Sequence, residues 1–221
     1  SRNSYFEIRN GPDMTGVSTD AQDLVLDENQ DGVSVLTLNN PRRRNAVSAA
    51  LLSRLKEKLD EAAVNEDVRV VIIRAEGPVY SSGHDLKELL DGDEDNNAHV
   101  FGMATVVMEA IRTLPQPVIA EVGGLATAAG CQLVATCDLA IAGRSARFAT
   151  NGIANGLYCA TPSVALSRVV SRKHALEMLL TGNFISAERA AEIGLVNHVV
   201  DDAELNASTH ELAAKIAAKS Q

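Results

Sequence analysis

The stretch from Pro117 to Phe148 constrains this chain more than any other: PVIAEVGGLATAAGCQLVATCDLAIAGRSARF. It opens with an apolar run of strand length, Pro117 to Val122. Two glycines break that run. Ala126 to Ala135 follows, made of small residues with good helix propensity, and Asp138 to Ala142 is strand-like again. A strand that turns through glycines into a helix leaves unpaired N–H groups at the helix start, and these favour negative charge. Small residues let a ligand's polar atom come close to the backbone. The stretch therefore predicts an α/β fold with an anion or oxyanion site at the first turn of this helix, although many joints of this kind only connect elements.

A second stretch supplies a partner for it. The apolar run Val68 to Arg74 suits a strand covered on both faces, and VYSSGHDLKEL, Val79 to Leu89, ends it in a Ser-Ser-Gly turn that feeds another helix. Two loops of this kind can aim two backbone N–H groups at one oxygen.

Bulk properties narrow the classes. A chain of 221 residues can hold one domain with a sizeable core. With aromatics at 3% and no tryptophan, that core is built from Ala, Val, Leu and Ile. A net charge of −9 argues against a nucleic-acid surface. Cys131, Cys137 and Cys159 are odd in number and lack metal spacing, so they are expected as free thiols in a reducing compartment. The five histidines also show no metal spacing, and no metal is expected. No apolar run approaches the ~20 residues that cross a bilayer. The chain begins at Ser1 and its first twenty residues are polar and unpatterned, as in an arm or a processed end.

Along the chain, Leu24 to Asn39 predicts a hairpin turning at Asn29-Gln30-Asp31-Gly32. Ser48 is placed to cap a helix over Ala49 to Val64, with Leu51, Leu52, Leu55 and Leu59 on one face. Asp91 to Asn97 is acidic and predicts a solvated loop, and His99 to Leu114 a second amphipathic helix. Thr150 to Thr161 predicts a loop. Helices are expected over Pro162 to Val170, Lys173 to Thr181, Ser186 to Ile193 and Ala203 to Lys219, with a short strand over Leu195 to Val200.

SSGHDLKEL, NNPRRRNAV, GLATAAGCQLVATCDLAIA and LTGNFISAERAAEIGLVNHVV together resemble the enoyl-CoA hydratase/isomerase (crotonase) family, and more narrowly its mitochondrial enoyl-CoA hydratase domain-containing members. The resemblance runs from Leu24 to about Lys219. It implies the crotonase fold, a spiral of ββα units with a helical region after it. The expected division is an arm over 1–23, a core domain over 24–200 and a C-terminal helix over 201–221. Family members usually continue for several helices past the equivalent of Lys219, so the resemblance implies a shortened helical region here. It further implies a mitochondrial location and a homo-trimer, homo-hexamer or hetero-complex.

The resemblance also implies an acyl-CoA thioester as ligand, with no cofactor beyond the coenzyme A of that thioester. Its carbonyl would be polarised by the backbone N–H groups of His84 and Ala129. Charge developing on that oxygen needs donors fixed in advance. The coenzyme A moiety would lie along Arg42 to Ala46 and His84 to Lys87, contacting Arg42, Ala46, His84, Asp85, Leu86 and Lys87. The bland alternative is a basic turn without a ligand.

Hydratases of the family use two glutamates to deliver water and manage its proton. At the matching positions this chain has Gln132 and Gly152. An amide does not titrate near neutral pH, and glycine has no side chain. Positioned acid–base groups are worth ~10²–10⁴-fold each, so ordinary hydratase activity is not expected. Tyr158, Cys159, Asp85 and the His84 imidazole are titratable candidates for a substitute. Two roles stay open: an acyl-CoA enzyme with a less demanding reaction such as isomerisation, hydrolysis or decarboxylation, or an inactive accessory subunit of a larger assembly.

Overall fold

The computed structural model describes residues 24–219; the predicted arm over 1–23 lies outside them. The chain opens with β1 (Val25–Gln30) and β2 (Val33–Leu38), an antiparallel hairpin. Asp31 and Gly32 both have positive φ, 52° and 81°, as a two-residue hairpin turn of the primed type requires. Helix α1 (Ala49–Val64) starts where Ser48 accepts a hydrogen bond from the Leu51 N–H. Its buried leucines, 51, 52, 55 and 59, are the predicted stripe.

Three similar units then repeat. β3 (Val70–Ala75) and β4 (Val79–Ser81) precede α2 (Leu86–Asp91) and α3 (Glu94–Thr113); β5 (Val118–Val122) and β6 (Leu125–Thr127) precede α4 (Ala129–Thr136); β7 (Leu139–Gly143) and β8 (Arg147–Ala149) precede α5 (Ala160–Val169). Each unit gives its first strand to one sheet and its second to another. The larger sheet has the order β1-β2-β3-β5-β7-β10 and the smaller β4-β6-β8-β9, where β9 is Ile185–Ser186 and β10 is His198–Val200. Apart from the edge strands β1 and β9, all pairings are parallel. Helices α6 (Arg172–Thr181), α7 (Ala187–Ile193) and α8 (Leu205–Ala217) complete the described chain. The spiral of ββα units expected from the sequence is present.

The core is aliphatic, as composition predicted: Leu36, Leu38, Leu51, Leu55, Ile73 and Ile111 are among its fully buried side chains. Burying each such side chain is worth ~1.5–3 kcal/mol. Tyr80 and Phe148 are the large aromatic exceptions.

Three local expectations need correction. Asp91 to Asn97 is not a loop throughout: Asp93 caps α3, accepting from the Asn96 N–H, and Glu94 and Asp95 fill its first turn. Acidic side chains there complement the helix dipole, so charge that suggested solvent instead marks a helix start. Residues 126 to 135 are not helix throughout, because Leu125–Thr127 is β6. Between residues 150 and 161 there is a 3-10 turn, Asn151–Asn155, and α5 has already begun by Ala160.

Candidate functional site

Three segments meet at the mouth of α4. The first is the basic turn Pro41–Arg43, a single 3-10 turn followed by Arg44 and Asn45 at φ 55° and 48°. Asn45 is fully buried and clamps the turn to β4. Its amide donates to the carbonyls of Glu76 (2.9 Å) and Val79 (2.7 Å) and accepts from the Asn40 N–H (2.8 Å).

The second is Ser81 to Lys87. Val47 forms a parallel bridge with His84: the Val47 N–H donates to Gly83 (2.8 Å) and the Asp85 N–H to Val47 (3.3 Å). In such a bridge the middle residue's own N–H and carbonyl point away from the partner strand. The His84 N–H therefore faces away from Val47. The third segment is Ala128 to Gln132, where β6 turns into α4.

Glycines bring the second and third segments into contact. A Cβ placed on Gly83 would stand 2.8 Å from the Ala128 Cβ and 3.2 Å from the Ala129 nitrogen. A Cβ on Gly130 would stand 2.4 Å from the Ser81 carbonyl oxygen. No side chain fits at either position without moving the backbone, so the two loops touch because both are glycine there. Ala128 takes φ 49°, ψ −116° and offers no side-chain cap to α4. Among the described residues, no hydrogen bond engages the N–H of His84 or of Ala129. Two unpaired backbone donors thus sit on abutting loops.

Of the residues named for coenzyme A, Arg42, Leu86 and Lys87 are exposed, whereas Ala46 and Asp85 are buried. Asp85 is already engaged. It pairs with Arg43 at 2.8 Å and caps α2 by accepting from the Lys87 and Glu88 N–H groups. Its carboxylate is a fastener of the site. The Arg43 pairing was not legible in the sequence, where three consecutive arginines carry no sign of which one pairs with Asp85.

The two positions that the resemblance matched to glutamates differ in kind. Gln132 lies one turn into α4 beyond Ala129, is 7% exposed, and its Oε1 is buried without a hydrogen-bond partner. Gly152 lies in the 3-10 turn, where a Cβ would stand 2.5 Å from the Leu157 carbonyl oxygen and 2.8 Å from Cys159 Sγ. The space a side chain would need there is filled by the returning chain. Thr150, also fully buried, leaves its Oγ1 without a partner. It follows Ala149, whose carbonyl accepts from the Ala128 N–H at 2.9 Å, so it borders the start of α4. Nothing in the sequence separated Thr150 from an ordinary core threonine.

His84 departs from the usual role of a loop histidine. Neither ring nitrogen has a hydrogen-bond partner, and both are buried. The ring meets Phe101 of α3 edge-on, centroids 4.6 Å apart. Burial lowers its pKa; the nearby Val47 carbonyl pulls the other way without reaching hydrogen-bond geometry. Phe101 lies off the main apolar stripe of α3, the one sign in the sequence that it has a separate role.

Of the remaining candidates, Cys159 is a protonated, buried thiol with its pKa raised by burial, and Cys131 is pushed up to about 12. Tyr158 is 42% exposed. Among the described residues, no group of three or more His, Cys, Asp or Glu side chains is arranged to hold a metal.

Comparison with known proteins places these features in a family. Residues 28–221 match the enoyl-CoA hydratase/isomerase family. The mouse mitochondrial enoyl-CoA hydratase domain-containing protein 3 is 52% identical over 199 residues, covering 90% of this chain and 66% of that protein. The human counterpart is 52% identical over 192 residues, covering 86% and 63%. The chain thus spans about two thirds of the length of these curated relatives. Among solved structures, human enoyl coenzyme A hydratase domain-containing protein 3 superposes with TM-score 0.86 at 51% identity, over 88% of this chain and 77% of that one. An enoyl-CoA hydratase from Mycobacterium smegmatis gives TM-score 0.86 at 50% identity, over 89% and 77%.

Proposed function

This chain belongs to the enoyl-CoA hydratase/isomerase family and has the crotonase fold, and from that premise we propose that it binds an acyl-CoA thioester at the mouth of α4 and is not a hydratase. The observation that carries this is the pair of unpaired N–H groups, His84 and Ala129, on loops held together by Gly83 and Gly130. A thioester oxygen placed between them would accept from both donors, which the touching loops hold in advance. Arg42 and Lys87, both exposed at the edge of the same loops, supply positive charge for the phosphates of coenzyme A.

Water addition needs a group that delivers water and a second that handles its proton. Gln132 does not titrate, and position 152 has neither a side chain nor room for one. The reading is therefore a non-hydratase acyl-CoA reaction in fatty-acid metabolism, in mitochondria as the names of its relatives suggest. The test is titration calorimetry with butyryl-CoA, followed by an assay of crotonyl-CoA hydration. Binding with hydration near the uncatalysed rate is expected. Absence of binding, or turnover matching that of a full hydratase, defeats the reading.

A second reading, an inactive subunit of an assembly, is favoured by one feature. Leu157, Tyr158, Val164, Val169, Leu180 and Phe184, around α5 and α6, are large apolar side chains left exposed, more than scattered surface residues usually provide. Self-association into trimers or hexamers in sedimentation, together with failure to bind butyryl-CoA, favours that reading.

A further inference from the structure

Neither position matched to a hydratase glutamate carries a carboxylate, and position 152 has no room for one, yet the site contains a titratable side chain whose ring nitrogens have no hydrogen-bond partner. Both His84 ring nitrogens are buried and unbonded, an arrangement that forfeits their hydration without replacing it. Such atoms in a native fold call for an explanation. The neighbouring titratable groups are all occupied or unsuitable. Asp85 is bound to Arg43 and to two N–H groups of α2. Glu88 accepts from the Ala49 N–H. Cys131 and Cys159 are held as protonated thiols by burial. His99 lies two residues from Phe101 and so on another side of α3.

We propose that the imidazole of His84 is the proton carrier of this site, taking a proton from the carbon next to the thioester carbonyl of a bound acyl-CoA. The inference rests on the acyl-CoA reading above and adds a residue and a reaction class to it. The C2–H bond breaks, and its electron pair moves into the carbonyl as an enolate whose oxygen lies between the N–H groups of His84 and Ala129. The proton rides on the ring as imidazolium. Returned to C2, it restores the substrate. Delivered instead to C4 of a 3-enoyl group, it leaves the double bond between C2 and C3. Atoms and charge balance within substrate and ring, and no co-reactant enters.

Geometry favours this residue for a specific reason. The same residue offers its N–H to the oxyanion and its side chain to the proton, so both stay in fixed relation as charge moves between them. Phe101, packed edge-on at 4.6 Å, holds the ring. Phe101 is itself only half-buried, and a ligand reaches the buried ring nitrogens only if the side chains covering them move. Burial lowers the ring's pKa and keeps it neutral near pH 7, the state that accepts a proton.

The test is solvent-deuterium uptake at C2 of butyryl-CoA, followed by NMR, in the unaltered chain and in His84→Ala and His84→Gln. The unaltered chain exchanges; both variants lose ~10²–10⁴-fold while calorimetry shows butyryl-CoA affinity kept, and free imidazole restores part of the exchange in His84→Ala. Glutamine keeps volume and polarity, so its loss separates proton transfer from packing. Exchange undiminished in both variants, or no exchange in the unaltered chain although butyryl-CoA binds, overturns this inference alone. If butyryl-CoA does not bind, the acyl-CoA reading falls and this one falls with it.

Discussion

Two residues carry opposed signs of strain at the site. Ala128 holds φ 49°, ψ −116°, a conformation that glycine takes freely and an L-residue takes at a cost of roughly 1–3 kcal/mol. Ala128→Gly gives back part of that in unfolded-state entropy, about 0.5–1 kcal/mol, so the net expectation is a gain of about 1 kcal/mol. A thermal melt rising by about 2–4 °C is the outcome to look for; a fall would mean that the Ala128 methyl's contact with Gly83 is worth more than the strain. His84 behaves differently because its burden depends on pH. Its folded pKa lies below the ordinary 6.5 owing to burial. As pH falls through about 6.5 the unfolded chain's imidazole takes up a proton that the folded one refuses. The unfolded state then binds more protons, so stability is full above that range and is lost as pH falls toward the folded value. Urea melts at pH 8 and pH 5.5 check the sign: the unaltered chain loses more stability between them than His84→Gln does.

Elements differ in how far the sequence announced them. α1 was legible to the residue and the first hairpin nearly so, because their signals are local: Ser48 at the cap and Asp31-Gly32 at the turn, although Asn29 and Gln30, expected in the turn, belong to β1. The smaller sheet was not. β4, β6 and β8 are three residues each and β9 is two, too short to show a period, and they exist as strands only by pairing with segments far along the chain. The site divides the same way. The two abutting loops were visible because SSGHD and ATAAG place glycines where a turn and a close approach need them, whereas His84 and Ala129 were named as donors by the family resemblance. The Arg43–Asp85 pair, the Thr150 hydroxyl and the Phe101 edge contact arise only when separate elements meet. The Gly130 contact shows how one element sets the site's shape. A methyl there is driven against the Ser81 carbonyl, so Gly130→Ala must push α4 off β4 and carry the Ala129 N–H away from that of His84. The expected result is destabilisation by ~1–3 kcal/mol and loss of butyryl-CoA affinity. Equal stability with normal affinity would show that the two loops need not touch.

At the scale of the whole molecule, electrostatics set a problem that the basic turn answers. The chain carries a net charge of −9, and the proposed ligand carries phosphates, so long-range forces oppose the encounter. Attraction must then be local, from the exposed Arg42 and Lys87, since Arg43 is spent on Asp85. Local attraction and distant repulsion respond oppositely to salt, because screening beyond ~8–10 Å removes the repulsion first. Affinity for coenzyme A is therefore expected to vary less steeply with salt than the phosphate charge alone implies. Arg42→Ala and Lys87→Ala should each weaken coenzyme A binding by roughly tenfold, about 1.4 kcal/mol, while leaving the melting temperature of the free protein unchanged, as neither side chain supports the core. Calorimetry at low and high salt reads both effects. If the two variants bind as the unaltered chain does, the coenzyme does not lie along this turn. The two backbone donors would then have to take their ligand from another direction.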